Sequence, residues 1–292
     1  MKNRKEIVLR HVDRQGQGIE IGPCHNPIAP KREGFRVHII DHMSRPQLLE
    51  KYKHDHLAVE NIEEVDFVWG GQPYAELVGR TGCYDWIIAS HVIEHSPDFI
   101  AFLNDCDALL KDGGVLCLVV PDKRFCFDRF RPVTGLAKFI DSHYAGNRIH
   151  TPGTVAEFLI NVVTKAGERA WDETTRGPYA FIHSAGEAAG AMAIARDQKA
   201  YLDVHNWCFV PHSFRLILED LNALGFTKLR EVDFSPTEAC EFYVTLGRHG
   251  RGPGIGRMEM LRAIESETAA VDAELAPPPA PAPRRWWPWP QR

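Results

Sequence analysis

Short apolar runs alternate with amphipathic stretches through the first part of the chain. Five runs are rich in β-branched residues and have the length of strands, namely Gly18–Gly22, Arg36–Asp41, Val65–Trp69, Tyr84–Ser90 and Val115–Val120. Helical spacing of apolar residues predicts a helix over Asp98–Leu110, and Pro46–Tyr52 is predicted as another. The fifth run is apolar throughout, which is typical of a strand covered on both faces. This alternation predicts a parallel sheet in a doubly wound α/β domain.

The alternation stops after the fifth strand. Residues 125–206 are predicted to hold helices without strands, at Gly135–Tyr144, Thr154–Lys165 and Gly186–Leu202. A helix from Pro211 to Gly225 and two closing strands follow, at Lys228–Phe234 and Glu241–Leu246. The pattern therefore predicts a seven-stranded, mostly parallel sheet with a helical insertion between strands five and six.

The end of the chain has a different character. Ile255–Leu275 is predicted as one amphipathic helix, and the proline-rich segment beyond it cannot bury a core, so it is predicted to be disordered. The helix suggests contact with a partner helix, and the terminal tryptophans and arginines suggest peripheral contact with a membrane surface. A free end is the alternative. The patterns divide the chain into five parts, residues 1–15, 16–124, 125–206, 207–248 and 249–292, of which the first is an N-terminal extension.

Composition and charge narrow the classes of protein. The 292 residues carry a formal net charge of −5, so the basic footprint expected of a nucleic-acid-binding protein is absent and no nucleic-acid partner is expected. The seven cysteines form no C-x-x-C pair, which indicates reduced thiols and no zinc ligand set. Neither a secretory signal nor a run of apolar residues long enough to span a membrane is found. We therefore expect a cytoplasmic protein, with peripheral contact at the inner face of a membrane as the alternative.

Two positions fit the site of a nucleotide-type cofactor. Gly22 ends the first strand, where a tight turn exposes backbone N–H groups and a following helix is expected to meet the ligand. Asp41 ends the second strand, at the distance from Glu20 that suits an acid binding ribose hydroxyls. By themselves these two positions are also compatible with a plain strand end and a solvated aspartate.

A longer motif follows at the fourth strand. The segment Tyr84–Asp98 has an aromatic residue, an aspartate, an apolar run, Ser90 and then Glu94-His95, and it resembles the fourth-strand motif of class I S-adenosylmethionine-dependent methyltransferases. Residues 111–121 resemble the fifth-strand motif of the same family. The resemblance covers residues 16–121 well and residues 211–246 more loosely, and it is closest to the type 11 and type 23 methyltransferase domains. It implies a Rossmann-like methyltransferase fold, S-adenosylmethionine as the cofactor, and residues 16–124 as the cofactor-binding half.

The resemblance also implies roles for individual residues. Glu20 would hold the methionine amino group, directly or through water. Gly22 and the backbone from Pro23 to Asn26 would approach the methionine and ribose, and Asp41 would bind the ribose hydroxyls. Ser90 and His91 would line the cofactor beside the transferred methyl group. The chain departs from the family pattern in keeping one of three glycines, because Cys24 and Asn26 stand where glycines are usual. The family's acid after the third strand is replaced by Gly70-Gly71.

The acceptor side of the site is less defined by sequence. His91 is the first candidate for a general base and Asp122 the second, because both follow carboxyl ends of strands; the alternative for His91 is packing against the cofactor. Four insertion histidines lack the i, i+4 spacing of a helical metal pair, so no metal ligand is predicted and the insertion is interpreted as a substrate lid: His143, His150, His183 and His205.

These observations together favour one function over two others. The predicted enzyme transfers a methyl group from S-adenosylmethionine to a small-molecule or carbohydrate-like acceptor, with O-methylation expected; the carbohydrate part is an analogy with the family. The alternatives are an NAD(P)-dependent oxidoreductase, which shares the ribose acid, and a non-catalytic methyltransferase-like scaffold.

Overall fold

The apolar runs and the amphipathic stretches take the forms expected of them in most places. The computed structural model describes residues 4–53 and 57–275. Its strands are β1 (Gln17–Ile21), β2 (Arg36–Asp41), β3 (Phe67–Val68), β4 (Tyr84–Ser90), β5 (Leu110–Pro121), β6 (Val163–Lys165), β7 (Tyr179–Phe181), β8 (Arg230–Glu238) and β9 (Glu241–Gly247). Its α-helices are α1 (Arg4–Val8), α2 (Arg45–Tyr52), α3 (Tyr74–Val78), α4 (Phe99–Leu109), α5 (Leu136–Tyr144), α6 (Pro152–Asn161), α7 (Ala185–Asp197), α8 (Pro211–Ala223) and α9 (Arg257–Leu275).

Seven strands form one sheet in the order β3-β2-β1-β4-β5-β9-β8. The pairs from β3 to β5 are parallel, and β9 lies antiparallel between β5 and β8. The chain order reverses between β1 and β4, because β2 and β3 lie on one side of β1 and the later strands of this sheet, β4, β5, β8 and β9, lie on the other. The predicted doubly wound, mostly parallel, Rossmann-like methyltransferase fold is confirmed.

Two apolar clusters cover the two faces of the sheet. The larger one joins the sheet to α3, α4, α5 and α8, with Phe99 of α4 fully buried among aromatic rings. The smaller one joins it to α1, whose Ile7 and Val8 are buried with Trp86 and Tyr243. The predicted N-terminal extension, residues 1–15, therefore begins with a helix that packs on the sheet.

The insertion differs from its prediction in one respect. Its three predicted helices exist as α5, α6 and α7, but the prediction that residues 125–206 contain no strands is wrong, because β6 and β7 form an antiparallel hairpin. The helix predicted over Thr154–Lys165 ends at Asn161, and Val163–Lys165 is a strand. Consecutive β-branched residues from Val162 to Thr164 favour the extended backbone over another helical turn.

The C-terminal helix lies against the same chain. Glu267 of α9 accepts from the Nδ1–H of His212 in α8 at 2.7 Å, and Met260 of α9 is buried. The membrane contact predicted for the terminal tryptophans and arginines falls on residues 276–292, outside the described residues, and the partner-helix contact predicted for Ile255–Leu275 stays a prediction. In the part of the chain that the structure describes, no helix is both long enough and apolar enough to cross a membrane.

Candidate active site

Three predicted cofactor-binding residues meet at one edge of the sheet. Ile21 of β1 pairs with Ile40 of β2 on one side and with Ala89 of β4 on the other. The residues that follow these three positions therefore stand in one row: Gly22, Asp41 and Ser90. Open α/β sheets bind their ligands at the carboxyl ends of the strands, where the strand order reverses. This row occupies that place.

The connection from β1 to β2 turns without an α-helix. Within the described residues 22–35, only a 3-10 turn at Lys31–Glu33 has helical geometry. The helix expected after the first strand is therefore absent, and three prolines explain its absence, since proline lacks the N–H that a helix interior needs: Pro23, Pro27 and Pro30. Backbone N–H groups of the loop, and not a helix terminus, are what this connection offers to a ligand.

Left-handed backbone shapes the first part of this loop. Gly22 has φ +61°, and a Cβ added there would lie 3.2 Å from Cγ2 of Val92. Cys24 also has a positive φ, 46°, and opens a turn in which the Asn26 N–H donates to the Pro23 carbonyl at 3.0 Å. Glycine adopts such backbone more readily than cysteine. The loop thus keeps the glycine-type conformation at a position where the sequence has lost the glycine.

Glu20 of β1 fixes the second part of the loop, residues 28–29, by hydrogen bonds to its backbone. Its two carboxylate oxygens accept the backbone N–H groups of Ile28 at 2.6 Å and of Ala29 at 3.0 Å. Burial raises the pKa of Glu20 to about 7, although these two hydrogen bonds act in the opposite direction. Glu20 is therefore a buried carboxyl poised near neutral pH, directly below the cofactor loop.

Asp41 is buried at the end of β2. Its Oδ1 accepts the backbone N–H of His42 at 2.7 Å, and its carbonyl accepts the N–H of Trp69 at 2.7 Å. These contacts fix the backbone on both sides of the carboxylate. Asp41 is thus held in the row with Gly22, as its predicted role with the ribose requires.

His91 lies beside Ser90 and belongs to a polar network that the sequence did not reveal. Its φ of 54° turns the chain out of β4, and its Nε2 lies 2.7 Å from Oε2 of Glu241 in β9. Arg4 of α1 donates from Nε to the other oxygen of Glu241 at 2.6 Å, and from Nη2 to Ser90 Oγ. An arginine near the N-terminus and a glutamate near the C-terminal end of the fold therefore orient the predicted base.

The charge of Glu241 is fixed by the same contacts. Burial by itself would raise the pKa of Glu241, but His91 and Arg4 outweigh burial and lower it to about 2. Glu241 is therefore ionised at neutral pH and accepts from His91 Nε2. The Nδ1 atom of His91 remains available for other chemistry.

Asp122, the second candidate base, lies in a closed environment. It is fully buried, and its Oδ2 accepts from Nη2 of Arg124 and from the hydroxyl of Thr237, both at 2.6 Å. Its Oδ1 accepts the backbone N–H of Arg124 at 3.0 Å and so caps the following turn. Both oxygens are occupied by the fold, so we keep the proton-transfer role for His91 alone.

The insertion is tied to the residues that follow β4. The carbonyl of Glu94 accepts the backbone N–H of Asn206 at 2.7 Å, and the indole N–H of Trp207 donates to the carbonyl of Ser96 at 2.7 Å. The ring nitrogens of His150 lie 2.7 Å and 2.8 Å from the carbonyl oxygens of Leu202 and His95. The insertion is thereby fixed against the segment that follows β4.

The insertion and His95 together line a cavity of about 480 Å³. His95, Asp203 and His205 are among its polar lining residues, and Phe127, Phe158 and Ile182 are among the apolar ones. Of the four insertion histidines, His183 and His205 line the cavity, whereas His143 pairs with Asp98 of the helix cap at 2.9 Å. The cavity therefore joins the insertion to the end of the fourth-strand motif.

A comparison with protein families decides between the enzyme classes that this geometry allows. The type 23 family model, described as a methyltransferase domain, matches residues 4–186. The chain belongs to this methyltransferase family. The methyltransferase uses S-adenosylmethionine, and the oxidoreductase alternative is set aside.

Several solved structures are similar to the methyltransferase at low sequence identity. A Rhodobacter sphaeroides protein described as a Zn-dependent alcohol dehydrogenase is 14% identical, with 85% of this chain and 90% of that chain covered and a TM-score of 0.44. A methyltransferase of Aquifex aeolicus is 13% identical, with 83% and 88% covered and a TM-score of 0.41. A methyltransferase from Thermotoga maritima is 19% identical, with 41% of this chain and 51% of that chain covered and a TM-score of 0.29. The present chain thus spans about half the length of the Thermotoga maritima protein. No curated protein matches the chain.

The fit of the cofactor to this methyltransferase rests on the loop after β1. Its positive φ angles at Gly22 and Cys24 shape the backbone, and a Cβ at Gly22 would lie 3.2 Å from Cγ2 of Val92. Asp41 stands in the same row, and Glu20 supports the loop from below. The residues present thus suit the cofactor that the family requires.

Proposed function

We propose that the methyltransferase methylates a hydroxyl oxygen of a small-molecule or carbohydrate-like acceptor. The observation that carries this proposal is the cavity of about 480 Å³ that the insertion forms together with His95 of the segment after β4. Its volume lies within the range of small-ligand sites, roughly 300–1,000 Å³. Its lining is mostly apolar with a few polar groups near His95, which suits an acceptor with an apolar body and one or more hydroxyl groups.

The cofactor would lie along the carboxyl edge of β1, β2 and β4. When bound, S-adenosylmethionine supplies a methyl group that its sulfonium already activates. Glu20 would bind the methionine ammonium, and Asp41 would accept from the ribose hydroxyls. The remaining proposed contacts are the loop backbone and the end of β4: Gly22, Pro23, Asn26, Ser90 and His91.

His91 is proposed as the general base of the reaction. Glu241 holds the Nε2 side of the imidazole at 2.7 Å, so the ring can take a proton at Nδ1. A carboxylate that fixes the tautomer and stabilises the protonated ring is the arrangement used in His–Asp pairs of hydrolases. His91 would thus remove the acceptor's hydroxyl proton as the oxygen receives the methyl group.

The insertion, residues 125–206, is proposed as the substrate lid. Its last residue, Asn206, and the following Trp207 donate hydrogen bonds to the carbonyls of Glu94 and Ser96. Its helices α6 and α7 share a small apolar core with residues Val155, Ala195 and Val204. A cover with its own core positions the acceptor more firmly than a free loop would, because fewer side chains must be ordered on binding.

Two measurements test the proposed function. The enzyme is incubated with methyl-tritiated cofactor and separate pools of hydroxylated small molecules, sugars, amines, protein and RNA, and the product is analysed for an ether methyl group. Label in an O-methyl ether of a small molecule or sugar supports the proposal. Label confined to amines, protein or RNA contradicts it.

Variants separate the cofactor site from the base. We expect Asp41→Ala to abolish the rise in melting temperature that S-adenosylhomocysteine causes in the wild type. We expect His91→Gln to retain a rise with S-adenosylhomocysteine, smaller than in the wild type because His91 also lines the cofactor, and to lower kcat at least about 100-fold, the usual size of a general-base contribution. The exposed histidine variant His249→Gln is the matched control and should change neither quantity.

A further inference from the structure

A buried carboxylate without a hydrogen-bond partner lies in the 3-10 turn that follows β4. Glu94 is fully buried, and within the described residues neither of its carboxylate oxygens has a hydrogen-bond partner. Removing a charged group from water without compensation costs several kcal/mol or more, on the order of the penalties for buried ions. Such a group indicates a missing partner that carries positive charge.

Three imidazoles surround this carboxylate. The Nε2 atoms of His95 and His205 each lie 3.9 Å from Glu94 Oε1, and Nδ1 of His91 lies 3.6 Å from the same oxygen. These distances are too long for direct hydrogen bonds. One ligand atom each from Glu94, His95 and His205 lie within 4.8 Å of one another. A first-row metal ion bound at ~2.1 Å from each ligand separates neighbouring ligand atoms by roughly 3.4 Å in a tetrahedral site, so a small contraction would place the three around one ion.

In both His95 and His205, a carboxylate lies close to the other ring nitrogen, Nδ1. His95 Nδ1 lies 2.8 Å from Asp203 Oδ1, and His205 Nδ1 contacts Asp128 Oδ2. Asp128 is itself buried and paired with Arg131 at 2.9 Å. Histidines that bind metals almost always have such a partner on the other nitrogen, because it fixes the tautomer and raises the basicity of the ligating nitrogen. The His205 ring is therefore oriented by a hydrogen bond before any ion binds, whereas His95 has a 2.8 Å ion-pair contact with the more exposed Asp203.

We propose that Glu94, His95 and His205 bind one divalent first-row transition-metal ion. Two imidazoles and one carboxylate suit ions such as Zn²⁺, Mn²⁺ and Co²⁺, and a set of three protein ligands leaves coordination positions open. His95 and His205 also line the acceptor cavity, so the open positions face the place proposed for the acceptor. The ion would hold and polarise the acceptor oxygen beside His91, a role that, unlike the binding of the ion, rests on the proposed O-methylation.

Metal binding is measured without any acceptor. The untagged full-length chain is treated with chelator, dialysed against Zn²⁺, Mn²⁺ or Co²⁺, and analysed by mass spectrometry for bound metal and by absorption of the Co²⁺ form. We expect one ion per chain, a Co²⁺ spectrum that reports nitrogen ligands, and a rise in melting temperature. No saturable ion with any of the three metals overturns the site.

Matched variants locate the ion. Glu94→Gln and His205→Gln should weaken binding at least about 100-fold, and the exposed His249→Gln should leave it within about twofold. Glu94→Gln should keep a metal-free melting temperature no lower than that of the wild type, because it removes an unpartnered buried charge. Asp203→Asn changes only the outer partner of His95 and should weaken binding about 10-fold. Unchanged binding in Glu94→Gln overturns the site.

A kinetic comparison separates the ion from the proposed function. Methylation of a hydroxylated acceptor that stops on chelation and returns with the metal supports the role of the ion. If the ion binds but only amines are methylated, O-methylation is overturned and the metal site stands. If O-methylation proceeds unchanged in metal-free enzyme, the catalytic role of the ion is overturned.

Discussion

Several residues at the carboxyl edge of the sheet have a backbone conformation or a buried side chain that depends on the surrounding fold. Gly22 and Asp41 could be found from sequence because they follow apolar strands at a fixed spacing. The positive φ of Cys24 could not be found, because cysteine rarely adopts it and the backbone of the loop imposes it. The raised pKa of Glu20 could not be found either, because burial in the folded chain causes it.

The left-handed backbone of Gly22 can be tested by adding one methyl group. Gly22→Ala should lower the free energy of unfolding by about 1–2 kcal/mol and weaken S-adenosylhomocysteine binding, since alanine is strained at φ +61° and its Cβ would approach Val92. Denaturant unfolding and calorimetric titration measure the two effects. Gly113→Ala is the control, because an added Cβ there meets open space. Equal effects of the two substitutions would remove the special role of Gly22.

The carboxyl of Glu20 should make cofactor binding depend on pH. Its pKa is raised to about 7 in the free enzyme, and a methionine ammonium beside it favours the ionised form. Binding therefore releases a proton below pH 7, so the affinity for S-adenosylhomocysteine should rise about tenfold from pH 6 to pH 8. Calorimetric titration across this range measures it. Glu20→Gln should bind more weakly and with a flatter pH profile, and a flat wild-type profile would contradict the contact.

Whole elements were predicted well where an apolar run determines them, and poorly where distant elements do. Tyr84–Ser90 was predicted with the bounds that the structure has, because a strand buried on both faces is apolar along its length. The β6–β7 hairpin was missed because each strand is three residues long, too short for a periodic pattern. The docking of α1 beside β9 was also missed, since nothing local to Arg4 indicates Glu241.

That docking makes the stability of the fold depend on Arg4. Arg4→Gln should lower the free energy of unfolding at pH 7 by about 1–2 kcal/mol, because a hydrogen bond to a partly buried carboxylate is lost. The pKa of Glu241 is lowered to about 2, so its ionised form stabilises the fold above the unfolded pKa near 4.5, and this stabilisation is lost as the pH falls toward 2. The gap between wild type and variant should therefore narrow from pH 5 to pH 3.

Urea unfolding at several pH values measures this gap. The control is Arg10→Gln, which breaks the exposed pair of Arg10 with Asp233 and should change stability by no more than about 0.5 kcal/mol. A gap that stays constant down to pH 3 would show that Arg4 stabilises the fold by packing and not through the charge of Glu241.

At the scale of the whole molecule, the sheet and the insertion supply different parts of the candidate site. The sheet supplies the row at the carboxyl edge, and its strand order follows from rules of chain connection that a sequence pattern can use. The insertion supplies His205, Asp203 and the cavity. Its contacts with residues 94–97 join segments far apart in sequence, so the spacing of histidines along the chain gave no indication of the cluster with Glu94. A site formed between a sheet edge and its cover is visible in three dimensions alone.

Because the cavity and the cofactor row are lined by different residues, we predict that the cavity can be filled without loss of cofactor binding. Ala191 of α7 lines the cavity and is partly buried, whereas Ala189, two positions earlier, is exposed. Ala191→Phe would place a ring in the acceptor's volume, so the acceptor KM should rise at least about tenfold, which corresponds to about 1.4 kcal/mol of lost binding free energy. The Kd of S-adenosylhomocysteine should stay within about twofold, because the cofactor row belongs to β1, β2 and β4. Ala189→Phe adds the same ring on the solvent side and should change neither constant. If Ala191→Phe weakened cofactor and acceptor equally, the insertion would support the whole site, and the cavity would not be a separate acceptor pocket.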